Sequence, residues 1–127
     1  MDDKITFLLN KAQTFLRSAA VLLELEDYDS SASRSYFAML YAAQAMLVAE
    51  NGTLPEQRGI RSAFIDQFVD HGPLPERAAD AFENAHDLME VGDYSSSFGV
   101  KQPKSERALQ EAEAFVNSIT DMIQETA

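Results

Sequence analysis

The sequence predicts an all-α protein, folded as an antiparallel up-and-down bundle of about five helices. Two observations support this. Apolar residues recur at three- and four-residue steps along most of the 127 residues, and the stretches between these runs are short and rich in turn-forming residues. No strand-like alternation accompanies the pattern, and no linker marks a second domain. With 46% hydrophobic residues the chain can bury one core, so a single domain over residues 1–127 is expected.

The first two helices can be predicted from the spacing of their apolar residues and from the polar turn between them. The first is predicted over about 3–25, where apolar side chains line one face. The turn EDYDSS then supplies the N-cap of the second helix, because short polar side chains accept hydrogen bonds from free backbone N–H groups. That helix is expected to run to about Glu50 and to end at the C-cap signal Asn51-Gly52. The candidate N-cap residues are Asp29, Ser30 and Ser31.

Three further helices are expected after Gly52. The third is predicted over roughly 57–70, and the fourth starts near Pro75. The segment GDYSSSFGVKQPK (92–104) is predicted to be the one long loop, and Ser105 can cap the last helix. The residues expected to face the core are Ile60, Ala63, Phe64, Phe68, Ala78, Ala79, Phe82, Ala85, Met89, Leu109, Ala112, Phe115, Val116, Ile119, Met122 and Ile123.

The second helix is apolar nearly all round from Tyr36 to Ala49. A helix of this kind must be covered on most sides, and one subunit of a bundle this small can hardly cover it alone. We therefore expect a homodimer with the second helix at or near the interface.

The overall composition narrows the classes of function. The chain has no cysteine and only two histidines, which excludes thiol chemistry and a three-histidine zinc site, and it has no glycine-rich phosphate loop. Its net charge of −11 is unlike that of a general binder of phosphate backbones, so DNA is not expected and RNA would need a local basic patch. The uncharged run 35–49 is too short to span a bilayer, and MDDKITFLL lacks a signal-peptide pattern. We expect a soluble, cytoplasmic protein without membrane, metal or cofactor.

An acidic stripe is predicted on the fourth helix, because five carboxylates step by four and three residues along one face. The stripe is either a solvated face or a docking surface for a basic partner. The same helix contains Glu-x-x-His, the ligand spacing of di-iron bundles, but the chain has no second copy, so a metal site is not expected. The acidic stripe consists of Glu76, Asp80, Glu83, Asp87 and Glu90.

One arginine, Arg34, stands near the start of the apolar second helix. Tyr41 follows seven residues later, and seven helical residues turn through about 700°, so the two side chains point the same way. One interpretation is structural: Arg34 pairs with Asp27, Asp29 or the acids of the first helix. The other is that Arg34 faces a groove and binds phosphate or a partner's carboxylate, for which a planar guanidinium is suited.

The stretch KAQTFLRSAAVLLELEDYDSSASRSYFAMLYAAQAMLVAENG (11–52) resembles the first two helices of the HEPN-domain family. The resemblance is to small stand-alone members that are often encoded beside minimal nucleotidyltransferases. Their pattern is an Asp-Tyr turn followed by Ser-Arg-x-Tyr-Tyr-Ala-Met-Phe-His/Tyr-Ala-Ala-x-Ala-Leu-Leu, and this chain has SRSYFAMLYAAQAML in register. The resemblance continues through GIRSAFIDQFVDHGPLPE (59–76) and the pair Asp93-Tyr94 to the last helix, and so covers nearly the whole chain.

The resemblance implies a bundle that usually dimerises and a role in toxin–antitoxin or defence gene pairs. Many members are metal-independent ribonucleases with a site shared across the dimer, in which an arginine steadies the phosphate and a histidine, with four to six residues between the two, takes the ribose 2′-OH proton. Counted from Arg34, the histidine position is Tyr41, and a tyrosine is almost wholly protonated at neutral pH and a poor base. An arginine carried by many members near the second Asp-Tyr turn is Met89 here. The ribonuclease motif is therefore degenerate.

Three hypotheses follow. The first is a HEPN protein that pairs with a minimal nucleotidyltransferase and acts by dimerisation and by binding a partner, a nucleotide or RNA. The second is a metal-independent endoribonuclease toxin that uses Arg34 with Tyr41 or His86. The third is a small module that binds a nucleotide or another anion. The binding groove predicted for the first is formed by Arg34, Tyr36, Tyr41, Asp93 and Tyr94.

Overall fold

The computed structural model describes residues 2–94 and 99–126, and within them the chain is helical without a strand. Five helices pack around one core, which confirms the predicted all-α bundle. Short turns join successive helices, so that α1 and α2 run antiparallel. The helices are α1 Asp3–Glu24, α2 Tyr28–Asn51, α3 Ile60–Ile65, α4 Glu76–Tyr94 and α5 Gln102–Thr126.

The predicted third helix is helical over 57–70 but changes type along its length. A 3₁₀ turn at Gln57–Gly59 leads into α3, and a π-helical stretch at Asp66–Asp70 follows it. The whole stretch packs one apolar side into the core. Its buried residues are Ile60, Phe64 and Phe68, all of which the sequence pattern predicts.

α2 begins earlier than predicted. Its N-cap is Asp27, whose carboxylate accepts a hydrogen bond from the backbone N–H of Ser30 at 3.2 Å. The predicted caps lie inside the first turn, where two of them make tertiary contacts. The Asp29 carboxylate accepts from the N–H of Val100 at 2.6 Å, and the Ser31 hydroxyl donates to a carbonyl of α1 at 2.8 Å. The prediction of the N-cap is therefore wrong, because Asp27 is as good a cap as the three candidates and the sequence could not show which of them the rest of the chain engages.

The prediction of a loop over 92–104 is wrong at both ends. α4 includes the first three residues of this segment and α5 the last three, while residues 95–98 lie outside the described part. Ser105 lies within α5 and does not cap it. Its hydroxyl donates to the carbonyl of Tyr28 at 3.0 Å, which ties the start of α5 to the start of α2.

α2 lies at the centre of the bundle. It packs against α1, α4 and α5 and more lightly against α3. Between Tyr36 and Val48, only Phe37, Tyr41 and Gln44 remain partly exposed. The expectation that one subunit could not cover this helix is therefore wrong, because its many alanines let four neighbouring helices approach closely. Burial of α2 does not require a second copy of the chain.

Phe82 of α4 is fully buried in an aromatic cluster. Its ring centroid lies 5.0 Å from that of Phe115 and 5.9 Å from those of Tyr36 and Phe64. Aromatic pairs at such separations stabilise a core beyond the area that they bury. The cluster joins α2, α3, α4 and α5.

Ser35 of α2 offers a stability test, because its buried hydroxyl has no hydrogen-bond partner among the described residues. We expect Ser35→Ala to raise the free energy of unfolding by about 1 kcal/mol, since alanine removes an unpaired polar group and is a better helix former. Urea unfolding measures this. Ser31→Ala is the matched control and should lower stability by about 1 kcal/mol, because Ser31 donates a hydrogen bond. A loss of stability in Ser35→Ala would contradict the prediction.

Candidate functional site

An open groove of about 580 Å³, the α2–α4 groove, lies between α2, the start of the third helical stretch and the middle of α4. It brings two arginines, a histidine and a tyrosine together in a chain whose net charge is −11. His86 and Met89 lie three residues apart on α4, and Tyr36 and Leu40 lie four residues apart on α2. Each pair therefore shares one face of its helix. The lining residues are Tyr36, Phe37, Leu40, Glu56, Gln57, Arg58, Arg61, His86 and Met89.

Arg61 is the most firmly held cation of the groove. Its Nε donates to Glu83 Oε1 at 2.9 Å, and its Nη1 donates to the Tyr36 hydroxyl at 3.4 Å. Burial alone would lower the pKa of Arg61, but the hydrogen bonds to Tyr36 and Glu83 raise that pKa above its ordinary value. Burial also raises the pKa of the Tyr36 phenol, although the hydrogen bond from Arg61 acts in the opposite direction. At neutral pH the site therefore holds a charged guanidinium beside a neutral phenol.

His86 lies beside Tyr36, with the two ring centroids 5.3 Å apart in an edge-to-face arrangement. Its Nδ1 is 3.4 Å from Glu90 Oε1 and 3.7 Å from Asp87 Oδ1. The side chain is 20% exposed, so the ring is packed on one side and still reaches the groove. The two carboxylates thus lie near the Nδ1 side of the imidazole.

Arg58 is the second arginine of the groove, and it is loosely held. Its side chain is 92% exposed and its Nε is 3.8 Å from Glu56. The sequence patterns described above did not single out Arg58 or Arg61. A signal was present, because they stand three residues apart in a helical stretch of a chain with only ten basic residues.

Arg34 and Tyr41 lie on the other side of α2 and face α1. The Arg34 guanidinium carbon is 5.1 Å from the Phe15 ring centroid, and the Tyr41 ring meets the same Phe15 ring edge-to-face at 5.1 Å. Arg34 forms no ion pair among the described residues, so the prediction of a contact with nearby acids is wrong. Tyr36 is about 200° round the helix from Arg34 and does not join this pair.

The remaining residues of the predicted groove lie near the end of α4. Asp93 accepts a hydrogen bond from the Ser33 hydroxyl at 3.1 Å, which ties α4 to the start of α2. Tyr94 is 79% exposed at the last position of α4. The five predicted groove residues thus occupy three places on the bundle, because the residues that share a sequence motif point to different sides of their helices.

The acidic stripe is exposed along its whole length. Its middle and end border the α2–α4 groove: Glu83 binds Arg61, and Asp87 and Glu90 approach His86. One of its carboxylates, that of Glu83, therefore holds a groove side chain by a hydrogen bond, and two others lie 3.4 and 3.7 Å from His86 Nδ1. Glu76 and Asp80 extend it beyond the groove.

The groove combines the two elements that phosphate chemistry needs, cationic forks and an imidazole next to them. No group of three potential metal ligands is found in the described ranges. None of the described helices is long and apolar enough to cross a membrane.

The sequence matches the family model of the HEPN domain over residues 5–122. It is 24% identical over 110 residues to a Methanocaldococcus jannaschii protein named "Putative toxin". The matched region covers 87% of this chain and 75% of that protein. It is 33% identical over 90 residues to a "UPF0332 protein" of Gloeobacter violaceus, covering 71% of each chain. The fold is similar to the crystal structure of TT1696 from Thermus thermophilus, with a TM-score of 0.79, 16% identity and coverage of 94% of this chain and 98% of that one.

Proposed function

This chain belongs to the HEPN domain family, and we propose that it is a toxin-like member that binds a phosphate-bearing ligand, RNA or a nucleotide, in the α2–α4 groove. The observation that carries the proposal is the convergence of Arg58, Arg61 and His86 in one groove of an acidic protein. The names of two relatives from Methanocaldococcus jannaschii support the toxin-like role.

The two arginines would hold the phosphate. A guanidinium has five N–H donors, and Arg61 engages two of them in its contacts with Glu83 and Tyr36. The others can bind a phosphate, which then shares Arg61 with the carboxylate of Glu83. Arg58 is exposed and can reach the ligand. The ring of His86, which is 20% exposed, offers a stacking surface for a base, as aromatic side chains do in proteins that bind single-stranded RNA, while the Tyr36 ring is buried beneath it.

The proposal includes a nucleotidyltransferase partner and a homodimer. The first rests on the resemblance to stand-alone HEPN proteins encoded beside minimal nucleotidyltransferases. For the second, we expect contacts through the partly exposed side of α2 at Tyr41 and Gln44, which do not line the α2–α4 groove. Co-purification with the product of an adjacent nucleotidyltransferase gene tests the partner. A monomer in sedimentation at micromolar concentration would overturn the dimer.

A second candidate is metal-independent cleavage of RNA, and the position of His86 favours it. His86 and Arg61 line the same groove, so a base and a cation are within reach of one phosphate. The predicted pairing of Arg34 with His86 is not supported within one chain, because Arg34 faces α1. Met89 lines the groove where many family members carry an arginine, which weakens the catalytic alternative.

The experiment is a titration of labelled single-stranded RNA with the purified chain in buffer containing EDTA, followed by electrophoresis of the RNA. We expect binding without cleavage. Arg58→Ala should weaken binding about fivefold, since one charge-assisted contact is lost. His86→Gln should weaken binding about fivefold as well, since it removes a ring that can stack on a base. A matched single-stranded DNA and a nucleotide panel identify the preferred ligand.

Two outcomes decide between the candidates. Cleavage of RNA in EDTA that is lost in His86→Gln would show that the chain is a ribonuclease and does not act by binding alone. Absence of binding to RNA and to every nucleotide would overturn the proposal that the α2–α4 groove takes a phosphate. Growth of a bacterial host that expresses the wild-type chain, with and without the nucleotidyltransferase, tests the toxin-like role separately.

A further inference from the structure

The outward face of α1 carries apolar side chains that the fold leaves exposed. Phe7, Val21 and Leu25 are 61%, 56% and 71% exposed. They belong to a stripe that steps by four, three, four, three and four residues on the side of α1 away from the core. This 3.5-residue repeat is the spacing at which one helix packs along another. The stripe, called the α1 face below, consists of Phe7, Lys11, Thr14, Ser18, Val21 and Leu25.

The sequence around the middle of the α1 face is free of negative charge. Residues 5–23 and 30–49 contain no aspartate or glutamate, although the chain has 21 of them in 127 residues. The two ranges cover most of α1 and α2, the two helices that form this side of the bundle. Their basic residues are Lys11, Arg17 and Arg34.

These three cations have no carboxylate partner among the described residues. Arg34 lies over the ring of Phe15 at 5.1 Å, and Arg17 donates to the hydroxyl of Thr14 at 3.1 Å. Lys11 Nζ lies 5.8 to 5.9 Å from three aromatic ring centroids. The cations are thus held by apolar and neutral groups, and their charge is not neutralised by these contacts.

A shallow groove of about 400 Å³ lies at the middle of the α1 face, between α1 and the start of α2. Small side chains at its centre leave room for a bulky residue of a partner, and two arginines are available to carboxylates beside it. The lining residues are Thr14, Arg17, Ser18, Val21, Leu22 and Arg34.

We propose that the α1 face docks an acidic amphipathic helix of a partner protein. The exposed apolar residues Phe7, Val21 and Leu25 can contact the apolar side of such a helix, and Lys11, Arg17 and Arg34 fit carboxylates beside it. This surface is separate from the α2–α4 groove, so the inference does not depend on the proposed function.

The charges of the face disfavour two other occupants. In an antiparallel second copy centred between Thr14 and Ser18, the two Arg17 residues would lie about 3 Å apart along the helix axis and repel each other. A flat anionic membrane would meet the acidic residues Asp3 and Glu24 at the two ends of α1, while the groove at the centre is concave. A helical partner can place its carboxylates beside Lys11, Arg17 and Arg34, whereas a membrane presents negative charge along the whole face.

The experiment uses two three-heptad helical peptides with leucine at the a and d positions. One carries glutamate at e and g and the other lysine, and the like charges keep each peptide from pairing with itself. Fluorescence anisotropy against the full chain should show that the acidic peptide binds about tenfold more tightly than the basic one. This order is opposite to that expected from the net charge of −11, so general attraction cannot produce it.

Variants locate the binding. Val21→Glu and Arg17→Glu should each weaken binding of the acidic peptide about tenfold. Val91→Glu, at an exposed apolar residue of α4, should leave this binding unchanged. Equal or stronger binding of the basic peptide, or no binding of either, would overturn the proposal. So would a self-association that Val21→Glu abolishes, or binding to anionic lipid vesicles that excludes the acidic peptide.

Discussion

Replacement of Phe82 by alanine is expected to lower the free energy of unfolding by about 3–5 kcal/mol, the range found when a large buried aromatic side chain is deleted. Phe82 is fully buried, and its ring meets Tyr36, Phe64 and Phe115 at centroid distances of 5.0 to 5.9 Å. The replacement leaves a cavity where α2, α3, α4 and α5 meet. This loss is a large part of the free energy of unfolding of an ordinary domain, which is about 5–15 kcal/mol.

Urea unfolding followed by circular dichroism measures this loss as a fall in midpoint at unchanged slope. Tyr94→Ala is the matched control, because Tyr94 is 79% exposed on the same helix and its deletion should stay within about 0.5 kcal/mol of the wild type. A loss below about 1 kcal/mol in Phe82→Ala would mean that the aromatic cluster does not hold the four helices together.

The second large effect is expected at Arg61. Arg61→Glu should weaken RNA binding about 10- to 100-fold, since it removes charge-assisted hydrogen bonds and places a carboxylate where the phosphate binds. It also sets the new carboxylate against Glu83, which now binds Arg61 at 2.9 Å. Arg61→Lys keeps the positive charge but lacks the planar guanidinium, so its affinity for RNA should lie between those of the wild type and Arg61→Glu.

The control for Arg61→Glu is Arg107→Glu, which changes the net charge equally. Arg107 lies on α5 and pairs with Glu111 at 3.7 Å, so it too loses an ion pair, but it is not a residue of the α2–α4 groove. Similar losses of RNA binding in both variants would show that net charge, not this groove, governs affinity. Urea unfolding of each variant separates a lost contact from a lost fold, and Arg61→Lys repeats the test if Arg61→Glu does not fold.

The helices could be predicted from the sequence because their apolar residues repeat with the helical period. The ends of the helices were less predictable. Asp27 caps α2 although Asp29 is equally suited, because Asp29 accepts a hydrogen bond from Val100 in a distant part of the chain. The glycine and serine residues at 92–104 indicated a loop, yet helical structure enters this segment from both ends.

The candidate site was predicted only in fragments. His86, Tyr36 and the acidic stripe were identified, but Arg61 was not, because its partners Tyr36 and Glu83 are 25 and 22 residues away along the chain. Arg34 and Tyr41 share a side of α2, as their spacing requires, and that side faces α1. Which neighbour a helix face meets depends on the packing of the whole bundle.

The sequence by itself determined the all-α class, the approximate helices, the family and the face of each helix that is buried. These properties depend on residue order within one helix, where a period of 3.6 residues sets the direction of every side chain. Only the tertiary structure decided that Arg58 and Arg61 line one groove with His86, that the second helix is covered by its own chain, and that Phe7, Val21 and Leu25 stay exposed. Those results depend on which helices pack together, and that choice reflects burial and hydrogen bonding summed over the whole chain.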